Sequence, residues 1–296
     1  MAKKPIIGIT MGDPAGNGSE ISVKALADSS VYERCRPIII GDANCMEKAV
    51  KILGKENEIK IHAVQDVKEA IFEFGTIDVY DMKLVDMEKH MYGKVSKMCG
   101  EAAFQYVVKV IDLAMKNEID ATVTNAICKE AINMAGHHYS GHTEIYADYT
   151  HTNKYTMMLA HDDLRVVHVS THVSLRQACD KVKKERVLEC IRIANNACKA
   201  IGIQEPKIGV AGLNPHCGEN GMFGVEEIEE IQPAINEAME EGINIPEKKP
   251  TPPDSIFSKA IGGWYDIVVA MYHDQGHIAT KTLDFEKTIA ITNGMP

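Results

Sequence analysis

Between Asp266 and Lys281 the chain reads Asp-Ile-Val-Val-Ala-Met-Tyr-His-Asp-Gln-Gly-His-Ile-Ala-Thr-Lys, and this stretch restricts the folds open to it. Ile267 to Met271 is an unbroken apolar run with two adjacent valines, which suits a strand covered on both faces in a parallel sheet. His273, Asp274, Gln275, His277 and Lys281 follow at once, with Gly276 permitting a turn that a larger residue would resist. Ligands of open α/β sheets bind at the carboxyl ends of strands, so a site is expected here.

The rest of the chain alternates strand and helix in the same way. Strands are expected at 5–9, 37–40, 59–63, 76–80, 120–124 and 207–211, and helices at 21–26, 46–53, 94–115, 181–201 and 226–241, a rhythm that implies parallel α/β sheets. Two apolar runs, 155–160 and 164–170, joined by His161-Asp162-Asp163, read as a hairpin. The polar loop Gly136–Glu144 breaks the rhythm, so two domains are expected, 1–128 and 129–296. Pro246 to Pro253 holds four of the eleven prolines and reads as a rigid extended connection. A short helix capped by Asp254 is expected after it.

The loop after the first strand, Thr10-Met11-Gly12-Asp13-Pro14-Ala15-Gly16-Asn17-Gly18-Ser19-Glu20, opens a helix. Its backbone N–H groups could receive an anion, although strand-to-helix turns also need glycine for steric reasons. The spacing is not the Gly-x-Gly-x-x-Gly dinucleotide fingerprint, so no dinucleotide-binding residues can be read from it.

At 296 residues, 45% apolar and 25% charged, the chain can bury one or two cores without staples. A net charge of −10 argues against nucleic-acid and anionic-membrane partners. Eight scattered cysteines without a CxxC pair read as a reducing compartment. The N-terminal apolar stretch is too short for a signal peptide, and no run approaches a membrane span. A cytoplasmic location is expected.

Three strands end in a histidine: those leading to His172, His216 and His273. Carboxyl ends of parallel strands share one edge, so three imidazoles can converge there from distant parts of the chain. Three neutral imidazoles with open positions suit Zn²⁺, Co²⁺ or Mn²⁺, with Asp274 and Asn214 placed to support them. A histidine after a strand is also a common structural residue, and with twelve histidines coincidence is expected, so the pattern leaves both readings open. His90, His137, His151 and His161 read as solvated surface. His142 and Thr143 at a helix start, Lys281 and Arg176 are the anion-binding candidates.

Together, Gly12-Asp13-Pro14-Ala15-Gly16-x-Gly18-x-Glu20, Gly141-His142-Thr143-Glu144, Ser170-Thr171-His172, Leu213-Asn214-Pro215-His216-x-Gly218-Glu219 and Tyr272-His273-Asp274-Gln275-Gly276 resemble the 4-hydroxythreonine-4-phosphate dehydrogenase family of pyridoxal phosphate synthesis. The resemblance implies an isocitrate/isopropylmalate dehydrogenase-like fold of two α/β/α domains with a cleft between them, a homodimer with active sites at its interface, and NAD as cofactor. It implies a divalent metal (Zn²⁺, Co²⁺, Mn²⁺ or Mg²⁺) on His172, His216 and His273, and substrate contacts from His142, Thr143 and Lys281.

Glu219-Asn220-Gly221-Met222-Phe223-Gly224 and Gly276-His277-Ile278 look like the branch acting on threonate or erythronate 4-phosphate. The implied reaction oxidises the C3 hydroxyl with hydride transfer to NAD⁺, after which the β-keto acid loses CO₂ to give dihydroxyacetone phosphate. Lys281 and Asp254 are the candidates for proton transfer and polarisation. Family members continue past the point matching Pro296, through a segment with a substrate-binding arginine, and the family's substrate-binding asparagine falls on Ala290, with Asn293 nearby. An incomplete sequence or a partly lost site is therefore expected. The alternatives are the aminated substrate of pyridoxal phosphate synthesis, a non-catalytic ligand-binding relative, and a phosphate acetyltransferase-like acyl transferase.

Overall fold

The computed structural model describes residues 4–139 and 141–295. The first three residues of the N-terminal stretch, Ser140 of the polar loop and Pro296 lie outside the described residues. The described residues divide into two compact units, the first ending at Thr152 and the second Asn153–Met295. The boundary thus falls later than the expected 128/129. The reason is apolar: Ala131, Ile132 and Ile145, which follow the expected boundary, are fully buried, and Ile132 and Ile145 belong to the first unit's core.

In the first unit the elements are β1 (Ile6–Thr10), α1 (Gly18–Leu26), α2 (Ser29–Arg34), β2 (Arg36–Gly41), α3 (Ala43–Ile52), β3 (Lys60–Val64), β4 (Thr76–Asp81), α4 (Lys97–Met115), β5 (Ala121–Thr124), α5 (Lys129–Met134) and α6 (His142–Tyr149). The five strands form one sheet in the order β3-β4-β2-β1-β5, parallel throughout. Ile38, Ile39 and Ile40 are each fully buried. Successive strand residues face opposite ways, so both faces of this sheet are covered, as the apolar run of β2 requires. The glycines of the loop after β1 serve packing: Gly12 has φ +79°, and a Cβ there would lie 2.6 Å from the Ala126 carbonyl.

The second unit contains β6 (Thr156–His161), β7 (Leu164–His168), α7 (Leu175–Lys181), α8 (Lys184–Ala200), β8 (Ile208–Val210), α9 (Gln232–Glu240), α10 (Pro253–Ile261), β9 (Ile267–Ala270), α11 (His273–Leu283) and β10 (Ile289–Asn293). Its sheet runs β10-β6-β7-β9-β8. β6 and β7 form the expected hairpin, in the register Met158↔Val167. β7, β9 and β8 are mutually parallel, so their carboxyl ends share an edge. Ile267, Val268, Val269 and Ala270 are fully buried, which confirms a strand covered on both faces.

Several elements differ from the sequence reading. The helix expected at 181–201 is α8, Lys184–Ala200, and a separate short helix without counterpart in the sequence reading, α7, precedes it, opened by a capping box of Ser174 and Gln177. The helix expected at 226–241 opens with a π-helical turn, Glu227–Ile231, ahead of Pro233, which has no N–H to donate. Pro253, not Asp254, opens α10; Pro252 is the cap and Asp254 sits in the first turn. The sequence reading had no counterpart for β10, whose residues are mostly exposed and alternate too weakly to mark a half-buried strand.

Gly100 lies where α4 meets α5, and a Cβ there would fall within the backbone of Ala131 and stand 2.7 Å from the Ile132 nitrogen. Neither backbone can retreat as a side chain would. Gly100→Ala is therefore expected to destabilise the protein by about 3 kcal/mol, at the upper end of overpacking costs, read from the urea midpoint.

Candidate active site

The carboxyl edge of β7-β9-β8 carries the three histidines predicted to act together. β9 delivers its residues most directly: after Ala270, Tyr272 caps α11 and His273 is its first residue. The polar end of the opening stretch is thus the first turn of a helix. At helical spacing His273, His277 and Lys281 recur every four residues and share one face. A rise of 1.5 Å per residue sets Lys281 about 12 Å along the axis from His273. Lys281 is exposed, its Nζ 5.5 Å from the centre of the Phe285 ring.

Side chains stitch this edge together. Gln275 Oε1 accepts the Met271 N–H at 2.6 Å, while its Nε2 donates to the Gly212 carbonyl at 2.8 Å, joining the loops after β9 and β8. Ser170 Oγ donates to the Met271 carbonyl at 3.3 Å, joining the loops after β7 and β9. The His172 and His273 rings lie 6.0 Å apart. Asp274 supports His273 as expected, with Oδ1 2.6 Å from Nδ1. That bond occupies Nδ1 and leaves Nε2 as the ring nitrogen available to a ligand.

His216 is exposed in the loop after β8. Among the described residues no ring contact joins it to the other two, and no group of three His, Cys, Asp or Glu side chains is closed around a metal position. The donor set nevertheless suits a divalent ion: three imidazoles arise from adjoining loops on one edge, and one is already oriented by a carboxylate. Asn214 does not support a histidine. Its Nδ2 donates to Glu226 and Glu227 at 2.7 and 3.0 Å. Asp254 is exposed in the first turn of α10, which packs against the 215–221 segment. Burial pushes the Cys217 thiol up to about 11, and the Glu227 and Asp254 carboxylates add to the rise. Arg176 is exposed in α7.

Behind His273 stands a column of imidazoles that the sequence did not announce. His277 stacks face to face on His273, with centroids 3.6 Å apart and planes 13° from parallel, and its Nδ1 donates to the His273 carbonyl at 3.0 Å. His168, the last residue of β7, lies 4.7 Å beyond. A Cβ on Gly276 would collide with His168 Nε2, so only glycine leaves room for the column. Burial, and then the neighbouring His277, push His168 from 6.5 down to about 3; burial, and then His273, push His277 down to about 4.

In the first unit His142 is the first residue of α6 and Thr143 the second, each partly buried. The His142 Nε2 is buried without a hydrogen-bond partner, and burial holds its pKa below the ordinary value. Of the histidines read as solvated surface, only His151 is exposed. His90 is buried and its Nε2 donates to the Pro14 carbonyl at 2.8 Å. His137 stacks on Phe104 at 3.6 Å, and His161 is partly buried near Asp284. A polar neighbourhood in sequence hid an apolar or carbonyl neighbour in space.

A mixed α/β sheet whose parallel strands gather polar side chains at their carboxyl edge defines an α/β protein with its candidate ligand site at that edge. Residues 33–296 match the family model described as pyridoxal phosphate biosynthetic protein PdxA. The chain is 46% identical over 293 residues to a relative from Clostridium botulinum named "Putative D-threonate 4-phosphate dehydrogenase", covering 99% of this chain and 86% of that protein. It is also similar to the crystal structure of a 4-hydroxythreonine-4-phosphate dehydrogenase from Burkholderia phymatum, with TM-score 0.90, 44% identity, and coverage of 99% of this chain and 88% of that one. The chain belongs to the PdxA family and is an oxidoreductase with that family's isocitrate/isopropylmalate dehydrogenase-like fold. A more distant likeness, to the EutD phosphotransacetylase of Staphylococcus aureus at 13% identity and TM-score 0.55, concerns the fold alone.

His168 gives the protein a pH dependence whose sign is fixed. Between its folded value of about 3 and its ordinary 6.5, the unfolded chain binds a proton that the folded protein does not. Stability is therefore full above pH 6.5 and falls as the pH drops through this window. From pH 7 to 5 this one group is expected to remove about 2 kcal/mol, and His168→Phe should flatten that slope in urea titrations at the two pH values.

Proposed function

We propose that this oxidoreductase uses NAD⁺ and a divalent metal to oxidise and decarboxylate a phosphorylated four-carbon hydroxy acid, D-threonate or D-erythronate 4-phosphate, to dihydroxyacetone phosphate and CO₂. The observation that carries this reading is the stitched edge of β7-β9-β8, where Gln275 and Ser170 tie together the loops bearing His172, His216 and His273. The name of the Clostridium botulinum relative supports the substrate. The name of the Burkholderia phymatum structure favours a second reading, 4-hydroxythreonine 4-phosphate, on the same chemistry.

A divalent metal on the three histidines would supply a Lewis acid that acidifies the substrate hydroxyl and stabilises the negative charge developing as CO₂ leaves. Asp274 accepts from His273 Nδ1 and so holds the tautomer whose Nε2 can ligate. His277, flat against the same ring, restricts its rotation. His142 and Thr143 take the substrate phosphate, because they stand at the start of α6, where the positive end of the helix dipole favours an anion beside their side chains. Lys281 adds a cation for the same substrate, and Lys281 and Asp254 are the candidates for moving a proton or polarising the reacting carbon. Fixing the phosphate at a distance from the reacting carbon supplies orientation. A homodimer with its active sites at the interface, in the cytoplasm, completes the proposal.

The test runs threonate, erythronate and 4-hydroxythreonine 4-phosphates in parallel with NAD⁺ and follows NADH absorbance. Threonate or erythronate 4-phosphate is expected to be the best substrate, with activity lost on chelation and restored by a divalent metal. Preference for the aminated compound assigns the second reading, and no NADH from any of them overturns both. His273→Ala is expected to lower the rate more than about 100-fold, beyond the loss usual for an outer partner of a metal ligand. His142→Ala should raise KM for the phosphorylated substrate.

A further inference from the structure

The backbone that carries His216 adopts a conformation its residues disfavour. His216, Cys217, Glu219 and Asn220 have φ of 52°, 55°, 44° and 56°, with Gly218 at 76° between them. Each non-glycine residue in this region costs on the order of 1 kcal/mol and persists only where its surroundings impose it.

The carboxyl group of Glu227 lies against this loop. The residue is 3% exposed, and among the described residues no cation pairs with it. Its charge is met instead by donors from one turn: Leu213 N and Asn214 N reach Oε1 at 2.8 and 2.7 Å, and Asn214 Nδ2 reaches Oε2 at 3.0 Å. Two glycines let the chain close around the carboxylate. A Cβ on Gly212 would lie 3.1 Å from Oε1, and one on Gly218 2.9 Å from Oε2. The loop is therefore bonded to the carboxyl group at Leu213 and Asn214 and passes close to it again at Gly218, and His216 lies between these two points. Hydrogen bonds to an ionised acceptor are about twice as strong as neutral ones, so this centre can offset the strain of the left-handed run.

We propose that Glu227 is the positioning residue for His216: its carboxylate binds the turn before the histidine and backs Gly218 after it, and so presents the imidazole at the sheet edge as a metal ligand. The proposal rests on the three-histidine reading above. A carboxylate that merely stabilised the fold would lower the unfolding midpoint when altered, yet leave the metal affinity of the folded protein unchanged.

The test titrates Co²⁺ into the full chain, as wild type, Glu227→Gln and His216→Ala, and follows the cobalt d–d absorption, with urea unfolding run alongside. Glu227→Gln is expected to bind Co²⁺ about 10–100-fold more weakly while folded, with its spectrum moved toward that of His216→Ala. Wild-type affinity and spectrum in folded Glu227→Gln would overturn the inference and leave the three-histidine reading intact. Wild-type protein that takes up no Co²⁺, or His216→Ala that binds as wild type does, would remove that reading and the inference together. Should Glu227→Gln not fold, amide exchange in metal-free wild type decides: protected Leu213 and Asn214 amides support the inference, and exchange at unprotected rates overturns it.

Discussion

The side chain of Gln275 holds the second unit's carboxyl edge together. One end accepts from the backbone of Met271 and the other donates to the carbonyl of Gly212, so the exits of β9 and β8 cannot separate without leaving an amide unpaired. A hydrogen bond of this kind contributes about 1 kcal/mol, and stranding a buried partner costs more. Ser170 does the same between the exits of β7 and β9. With both ties in place, loops that start on three strands behave as one surface, and each ends in an imidazole.

The same edge shows how a helix start and a strand end share work. α11 begins at His273 itself, so the residue that ends the β9 connection also opens a helical face on which His277 and Lys281 recur. The stack of His277 on His273, with His168 behind, needs the open space at Gly276. Burial keeps the two rear rings neutral, so they pack against the front imidazole without adding charge to the site.

Much of the fold was legible because its signals are local. Ile38–Ile40 and Ile267–Ala270 are continuous apolar runs, and such runs fit only a strand covered on both faces. The hairpin of β6 and β7 was visible in two apolar runs joined by a short polar turn. The elements that were misread depend on partners distant in sequence. β10 is a strand because it pairs with β6, and its exposed residues carry no periodicity of their own. α5 and α6 join the first unit because Ile132 and Ile145 fill its core, a fact the break in rhythm at Gly136–Glu144 concealed.

For the site the division is similar. The sequence by itself determined which residue types stand at the ends of β7, β8 and β9, and its alternation of strand and helix implied parallel strands, whose carboxyl ends share an edge. It also supplied Asp274 next to His273, a support that needs only adjacency. Tertiary structure alone decided what fixes those residues: Gln275 and Ser170 bridge strand exits, Glu227 receives the Asn214 turn, and His168 backs His277. Each of these contacts joins groups on separate elements, and chain closure in three dimensions, not spacing along the sequence, sets which polar atoms meet.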